Sequence, residues 1–151
     1  MTLRIDYPNV APGALQAMLG VENYVRASGL DDSLLELIKT RVSQINGCAY
    51  CLDMHTRDAR AAGETEQRLH VLAAWREANL YSDRERAALA LAEAVTLVAS
   101  HDVNDDIYSE VRRHFDAKDC VNLIMAIIAI NGWNRLAVSL RLPIPVAKPA
   151  A

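Results

Sequence analysis

Asn46-Gly47-Cys48-Ala49-Tyr50-Cys51-Leu52-Asp53-Met54-His55 is the stretch on which the reading of this chain turns. The segment before it, Asp31 to Asn46, carries apolar residues at helical spacing and stops at Asn-Gly, a pair suited to a left-handed helix end. From Cys48 a new helix is expected to Ala62, closed by Gly63. Two cysteines three apart, with a histidine four beyond the second, therefore fall on one short helix. On an ideal helix Cys51 and His55 lie about 40° apart, and Cys48 and His55 about 20° apart across two turns. Cys48 also sits at a helix N-terminus, where free amides and the macrodipole favour a thiolate. The layout is that of a redox-active dithiol.

Working outward, the same logic gives helices everywhere. Residues 1–12 read as extended, with Pro12 able to open a first helix from about Ala14 to Ala27 and Leu15, Met18, Leu19, Tyr24 and Val25 as candidate buried positions. The helix from Asp31 or Asp32 is expected to bury Leu34, Leu35, Ile38, Val42 and Ile45. Beyond the motif helix come a shorter one over 65–77 and one capped by Ser82 with Glu85 in a capping box, running to about Ser100. Asn104 caps a helix through Phe115, and Asp116 or Asp119 opens the last, toward Leu140. Pro143, Pro145 and Pro149 leave an extended tail. The expected architecture is all-α, about seven helices, as one domain over 1–151 with its core over about 14–140.

Composition narrows the function. The chain has 151 residues, 52% hydrophobic and only 5% aromatic, enough apolar surface for one core and biased toward helix. A net charge of −3 with scattered basic residues gives no footprint for nucleic acid or anionic lipid. The N-terminus lacks the basic-then-apolar layout of a signal peptide. The apolar run Cys120 to Ile130 contains Asn122 and is short for a bilayer, so it reads as a buried helix. Three cysteines in such a chain point to a cytoplasmic protein whose Cys-x-x-Cys is functional.

The candidate residues each have a plainer reading. Glu36, twelve positions before Cys48, can reach His55 or Cys51 if the two helices fold back at Asn46-Gly47. Ser33-x-x-Glu36 is also a capping-box pattern, and spacing leaves both roles open. Cys48, Cys51 and His55 could supply three zinc ligands, but a structural site needs a fourth, and no second Cys/His pair has finger-like spacing. Cys120 reads as a buried small hydrophobe, and His70, His101 and His114 as isolated histidines. Asn131, Trp133 and Asn134 read as side chains closing helix contacts.

With these residues in view, the chain resembles the alkylhydroperoxidase D-like family of the carboxymuconolactone decarboxylase superfamily. The family pattern, Glu, eleven residues, Cys-x-x-Cys, three residues, His, is met by Glu36, Cys48, Cys51 and His55. Ile45-Asn46-Gly47, His55-Thr56-Arg57, Ala61-x-Gly63 and Ile130-Asn131-Gly132-Trp133-Asn134-Arg135 match its surroundings, so the resemblance spans about residues 30 to 140. Two departures stand out. Tyr50 replaces the second histidine that well-studied members carry between the cysteines, and the motif falls in the first third of the chain. The decarboxylase branch lacks the paired cysteines.

The resemblance implies an alkylhydroperoxidase D-like helical fold and a thiol-dependent peroxidase working without a cofactor or metal. Cys51 would attack a hydroperoxide, Cys48 would close the disulfide, His55 ordered by Glu36 would handle the proton, and an external dithiol or protein would reduce the pair. The helix dipole favours Cys48 as the more acidic thiol, whereas the i, i+4 histidine and the family assignment favour Cys51. A redox sensor, or an oligomeric interaction module with a dithiol switch, is the alternative from another class. The excess of apolar helix surface and the resemblance together imply a homo-oligomer, a trimer or a hexamer.

Overall fold

Nearly every helix in the structure begins at a side chain able to cap it. The computed structural model describes residues 2–146, and among these it holds eight α-helices, one turn of 3₁₀ helix and no strand. They are α1 (Tyr7–Val10), α2 (Pro12–Arg26), α3 (Asp32–Asn46), α4 (Ala49–Ala61), α5 (Glu66–Val71), the 3₁₀ turn (Leu72–Ala74), α6 (Asp83–Thr96), α7 (Asp105–His114) and α8 (Ala117–Leu140). Asp31, Thr65, Ser82, Asn104 and Asp116 each accept a backbone N–H of the first turn that follows, and Ser82 with Glu85 completes the capping box. Cys48 caps α4 through its sulfur, which accepts from the Cys51 N–H at 3.4 Å.

The core is built around α3 and α8. α3 packs on α4, α6 and α8, and α8 also packs on α2. This double coverage explains why α3 buries Leu37, Lys39 and Thr40 besides Leu34, Leu35, Ile38 and Val42 of the expected stripe, whose last member, Ile45 near the helix end, is only half-buried. α8 is 24 residues long and, by length and composition, apolar enough to cross a membrane. Its polar side chains are nevertheless satisfied by neighbouring helices. Asn122, fully buried, accepts from the Tyr24 hydroxyl at 2.9 Å, and Asn134 donates to Ser43 Oγ at 3.0 Å. Such pairings are those of a core helix.

Four expectations need correction. The stretch read as extended contains α1, because proline is tolerated in a first turn and the Val10 and Ala11 N–H groups return to Asp6 and Tyr7 carbonyls. The helix read over 65–77 is broken after Val71. Beyond the break the Arg86 guanidinium donates to the carbonyls of Trp75, Arg76 and Ala78, which a continued helix would have used itself. α6 ends at Thr96, before Ser100, in a tight turn closed by Ser100 N–H on Leu97 O, so Ala99 is exposed. On α2, Leu19 and Tyr24 are exposed and Glu22 is buried, because this helix meets a polar cleft. Pro149 lies outside the described residues.

Candidate active site

The turn at Asn46-Gly47 sets the site. Gly47 takes the left-handed conformation, φ 64°, and the Gly47 and Cys48 N–H groups return to the carbonyls of Gln44 and Ser43. The Asn46 side chain is held from outside, donating at 2.9 Å to both Asn131 Oδ1 and Asn134 Oδ1 on α8. The plain reading of those two asparagines matches what they do: they close helix contacts. α4 therefore leaves α3 at a fixed angle, with Cys48 and Cys51 buried at 1% and 2% exposure. The two sulfurs are paired as a disulfide, with the Cα atoms 5.4 Å apart, a span ordinary for such a bridge. Cys120 lies buried elsewhere, and its burial pushes the thiol pKa up.

One turn beyond Cys51, His55 is 6% exposed, and its Nδ1 lies 2.8 Å from Glu36 Oε2. A carboxylate only accepts, so Nδ1 carries the proton and Nε2 remains for exchange with another group. The capping role for Glu36 is ruled out, since Asp31 caps α3 by accepting from Ser33 and Leu34 N–H. Glu36 and His55 are in contact, and Cys48 and Cys51 are paired with Cys51 one helical turn before His55, so of the two roles that spacing left open for Glu36 the structure takes the one beside the histidine.

Two residues that sequence reasoning passed over complete the arrangement. Lys39, 4% exposed, donates to Glu36 Oε1 at 3.3 Å and to Glu22 Oε1 at 2.9 Å. Glu22, also buried, accepts in turn from the Trp133 indole N–H at 3.2 Å. The chain His55–Glu36–Lys39–Glu22–Trp133 thus ties four helices through charged hydrogen bonds. Burial alone pushes the Glu36 carboxyl up, but the hydrogen bond and charge of His55, joined by Lys39, outweigh it and hold it below the usual glutamate range. Glu22 behaves alike: burial raises it, and Lys39, Trp133 and Arg26 bring it down further than that. The signal was present in the stripes themselves. Lys39 falls in register with Leu35, Ile38 and Val42, and Glu22 in register with Met18 and Val25, charged residues at inward positions.

A cavity of about 230 Å³ opens over these groups, with Leu19, Met54 and Trp133 as its larger apolar walls and His55, Glu36 and Lys39 on its polar side. Trp133 therefore belongs to the site, beyond the helix-closing role read for it. Asp58, exposed on α4, places a third ligand-type atom within 4.8 Å of those of Glu36 and His55. Both Glu36 oxygens are already engaged, one by His55 and one by Lys39, so a cation there would compete with the Lys39 ammonium. The group is better suited to ordering a proton on His55 than to holding a metal.

The carboxymuconolactone decarboxylase family model matches residues 12–94, which hold the whole of the Glu36 to His55 constellation. An uncharacterized protein of Bacillus subtilis, YdfG, is 46% identical over 93% of this chain and 95% of its own length. The crystal structure of a protein of unknown function from Agrobacterium tumefaciens, suggested to be the antioxidant defence protein AhpD, superposes with a TM-score of 0.94. Its identity is 42%, covering 97% of this chain and all of that one. The debrominase Bmp8 shares the fold at 18% identity and a TM-score of 0.76, covering 91% of this chain and 74% of its own. The fold by itself therefore does not specify a reaction. On the family match, the near full-length relatives and the intact Cys-x-x-Cys-x3-His motif, the chain belongs to the carboxymuconolactone decarboxylase family, in its AhpD-like branch.

Proposed function

We propose that this protein is a thiol-dependent peroxidase acting on small organic hydroperoxides, with Cys48 and Cys51 as its redox pair. The observation that carries the reading is the 2.8 Å contact of His55 Nδ1 with a half-buried glutamate, one turn from a paired cysteine. In the reduced protein His55 Nε2 takes the Cys51 thiol proton, and the thiolate attacks the terminal oxygen of the hydroperoxide. The O–O bond breaks, the alkoxide leaves with the proton from His55, and Cys51 becomes a sulfenic acid. The Cys48 thiol then displaces water from that sulfur, giving the disulfide, and two external thiols restore the dithiol as they are themselves oxidised to a disulfide. The cavity over His55, apolar on one side and polar on the other, suits an alkyl hydroperoxide. The cycle requires a compartment that supplies thiols, which supports a cytoplasmic setting.

Consumption of tert-butyl hydroperoxide with dithiothreitol tests the reading. Many turnovers per chain are expected, none with Cys51→Ser, and a dimedone-reactive sulfenic acid at Cys51 with Cys48→Ser. Oxidation that halts at one peroxide per chain would make the protein a redox switch instead. Dimedone labelling of Cys48 in an active Cys51→Ser variant would reverse the two roles.

A further inference from the structure

The Cys48 side of the pair opens onto a second cavity, away from His55. This cavity, about 300 Å³, is lined by Cys48, Tyr50, Val138, Leu142 and two arginines, Arg4 and Arg141. Tyr50, where relatives with a second histidine would carry that residue, lines both cavities and stands between them. Both arginines are held in place by the end of α8. Arg4 donates its backbone N–H to Leu140 O at 2.9 Å and its guanidinium to Ser139 O at 3.0 Å. Arg141 sits at φ 57°, the only non-glycine residue in the left-handed region among the described residues. Glycine is the usual occupant of such a helix-end position, so the chain retains a long cation where the backbone favours none. Neither guanidinium has a carboxylate partner among the described residues.

We propose that this arginine-flanked cavity is where the reductant reaches the disulfide, and that it takes a thiol bearing a carboxylate. Two positive charges beside a buried disulfide draw in an anionic thiol and favour its thiolate form. The thiolate attacks Cys48 Sγ, the Cys48–Cys51 bond breaks, and the electron pair leaves on Cys51, which is protonated from the His55 side. A second thiol attacks the ligand sulfur of the mixed disulfide, releasing the oxidised reductant as a disulfide and Cys48 as a thiol. Two thiols are oxidised and one protein disulfide is reduced. Hydroperoxide and reductant thus use opposite faces of one redox pair, so neither must leave before the other arrives.

The inference rests on the cycling of Cys48 and Cys51 proposed above, but its test needs no hydroperoxide. The oxidised full-length protein is reduced with 3-mercaptopropionate, 2-mercaptoethanol or cysteamine, and free thiols are read by alkylation and mass. Rates are taken at equal thiolate concentration and divided by those with a small neutral disulfide, which removes the intrinsic reactivity of each thiol. The anionic thiol is expected to lead the cationic one by about tenfold at low salt, with the lead collapsing near 1 M salt. Arg4→Gln combined with Arg141→Gly should bring the ratio close to one, each change contributing about threefold. Glycine suits the backbone at 141, and thermal melting verifies that the double variant is folded. In Cys51→Ala, where Cys48 is a free thiol, the oxidised symmetrical disulfides of the same three compounds are supplied instead: the Cys48 thiolate attacks one sulfur, the other leaves as a thiolate, and the mixed disulfide at Cys48 should form with the same charge preference. An unchanged ratio in the double variant, or no anionic preference in the unaltered protein, overturns the site. Charge preference without peroxide turnover would leave this site standing and remove the peroxidase reading; turnover without charge preference would do the reverse.

Discussion

At the scale of single residues, Lys39 shows how much of the site depends on one buried charge. Its ammonium serves Glu22 and Glu36 together, and all three side chains are largely removed from water. Lys39→Met leaves two carboxylates facing each other without their cation, which is expected to cost about 3–5 kcal/mol in urea unfolding. The sign of the pH effect follows from the lowered carboxyls. Glu22 and Glu36 have folded pKa values below their unfolded ones, so their stabilisation is complete above the unfolded value, about 4.3. It is lost as pH falls through the lower folded values, and Lys39→Met should move the acid-unfolding midpoint, followed by circular dichroism, to higher pH. If the proposed proton transfer from Cys51 to His55 operates, Glu36→Gln or His55→Ala is expected to slow iodoacetamide alkylation of the reduced protein near neutral pH and to move its pH profile upward. A pH profile of iodoacetamide alkylation that stayed put in both variants would return Glu36 to a purely structural role. The cysteines and His55 were readable because helix periodicity places them along one short helix, whereas for Glu36 the spacing left a capping role open and only the family pattern favoured the site. Glu22 stands at an inward position of its stripe, but its role was not readable, because the partners that give it one, Lys39 and Trp133, lie 17 and 111 positions away.

At the scale of elements, the α3–α4 corner positions the redox pair, and Gly47 is its pivot. A β-carbon at Gly47 would meet nothing within 4 Å, so the cost of Gly47→Ala is conformational, not steric. That cost is about 1 kcal/mol, or roughly 2–5 °C in melting temperature for a chain of this size. Because Cys48 follows immediately, the same variant should slow disulfide closure after oxidation, measured by loss of free thiols in a quench series. A melting temperature equal to that of the unaltered protein would show that the left-handed turn is not needed. Local signals were strong wherever a cap or Asn-Gly pair marked a boundary, as at Asp31, Ser82 and Asn104. They were weak where distant groups set the boundary. Arg86 takes the carbonyls after the 3₁₀ turn, and Asn131 of α8 donates to the Thr96 hydroxyl at the end of α6. Neither contact has a counterpart in the neighbouring sequence.

At the scale of the whole molecule, α8 presents more apolar surface than this chain covers. Its inner faces are buried against α2, α3 and α6, yet Val121 is 53% exposed and Ile128 48% exposed. With Met125 between them, they form a stripe at positions separated by four and three residues, the spacing of a seam that packs on another helix. The stripe continues into a shallow groove that Ile128 shares with Val95 and Val98 at the end of α6. An exposed apolar face of this length is unusual for a monomer, and closed symmetry is the common way for copies of one chain to cover such a face. The expectation is a trimer or hexamer, with α8 against a copy of this chain. The consequence for the site is indirect but physical. Trp133 lies on the same helix five residues beyond Ile128, so fixing α8 in an assembly also steadies the wall of the cavity over His55. Sedimentation at micromolar concentration should give three or six times the 16.6 kDa of the chain. Ile128→Lys should shift that mass to the single chain while leaving helix content unchanged, since the side chain is already half exposed. A single-chain mass for the unaltered protein would remove the assembly, and the apolar stripe of α8 would then have to be covered by a different partner.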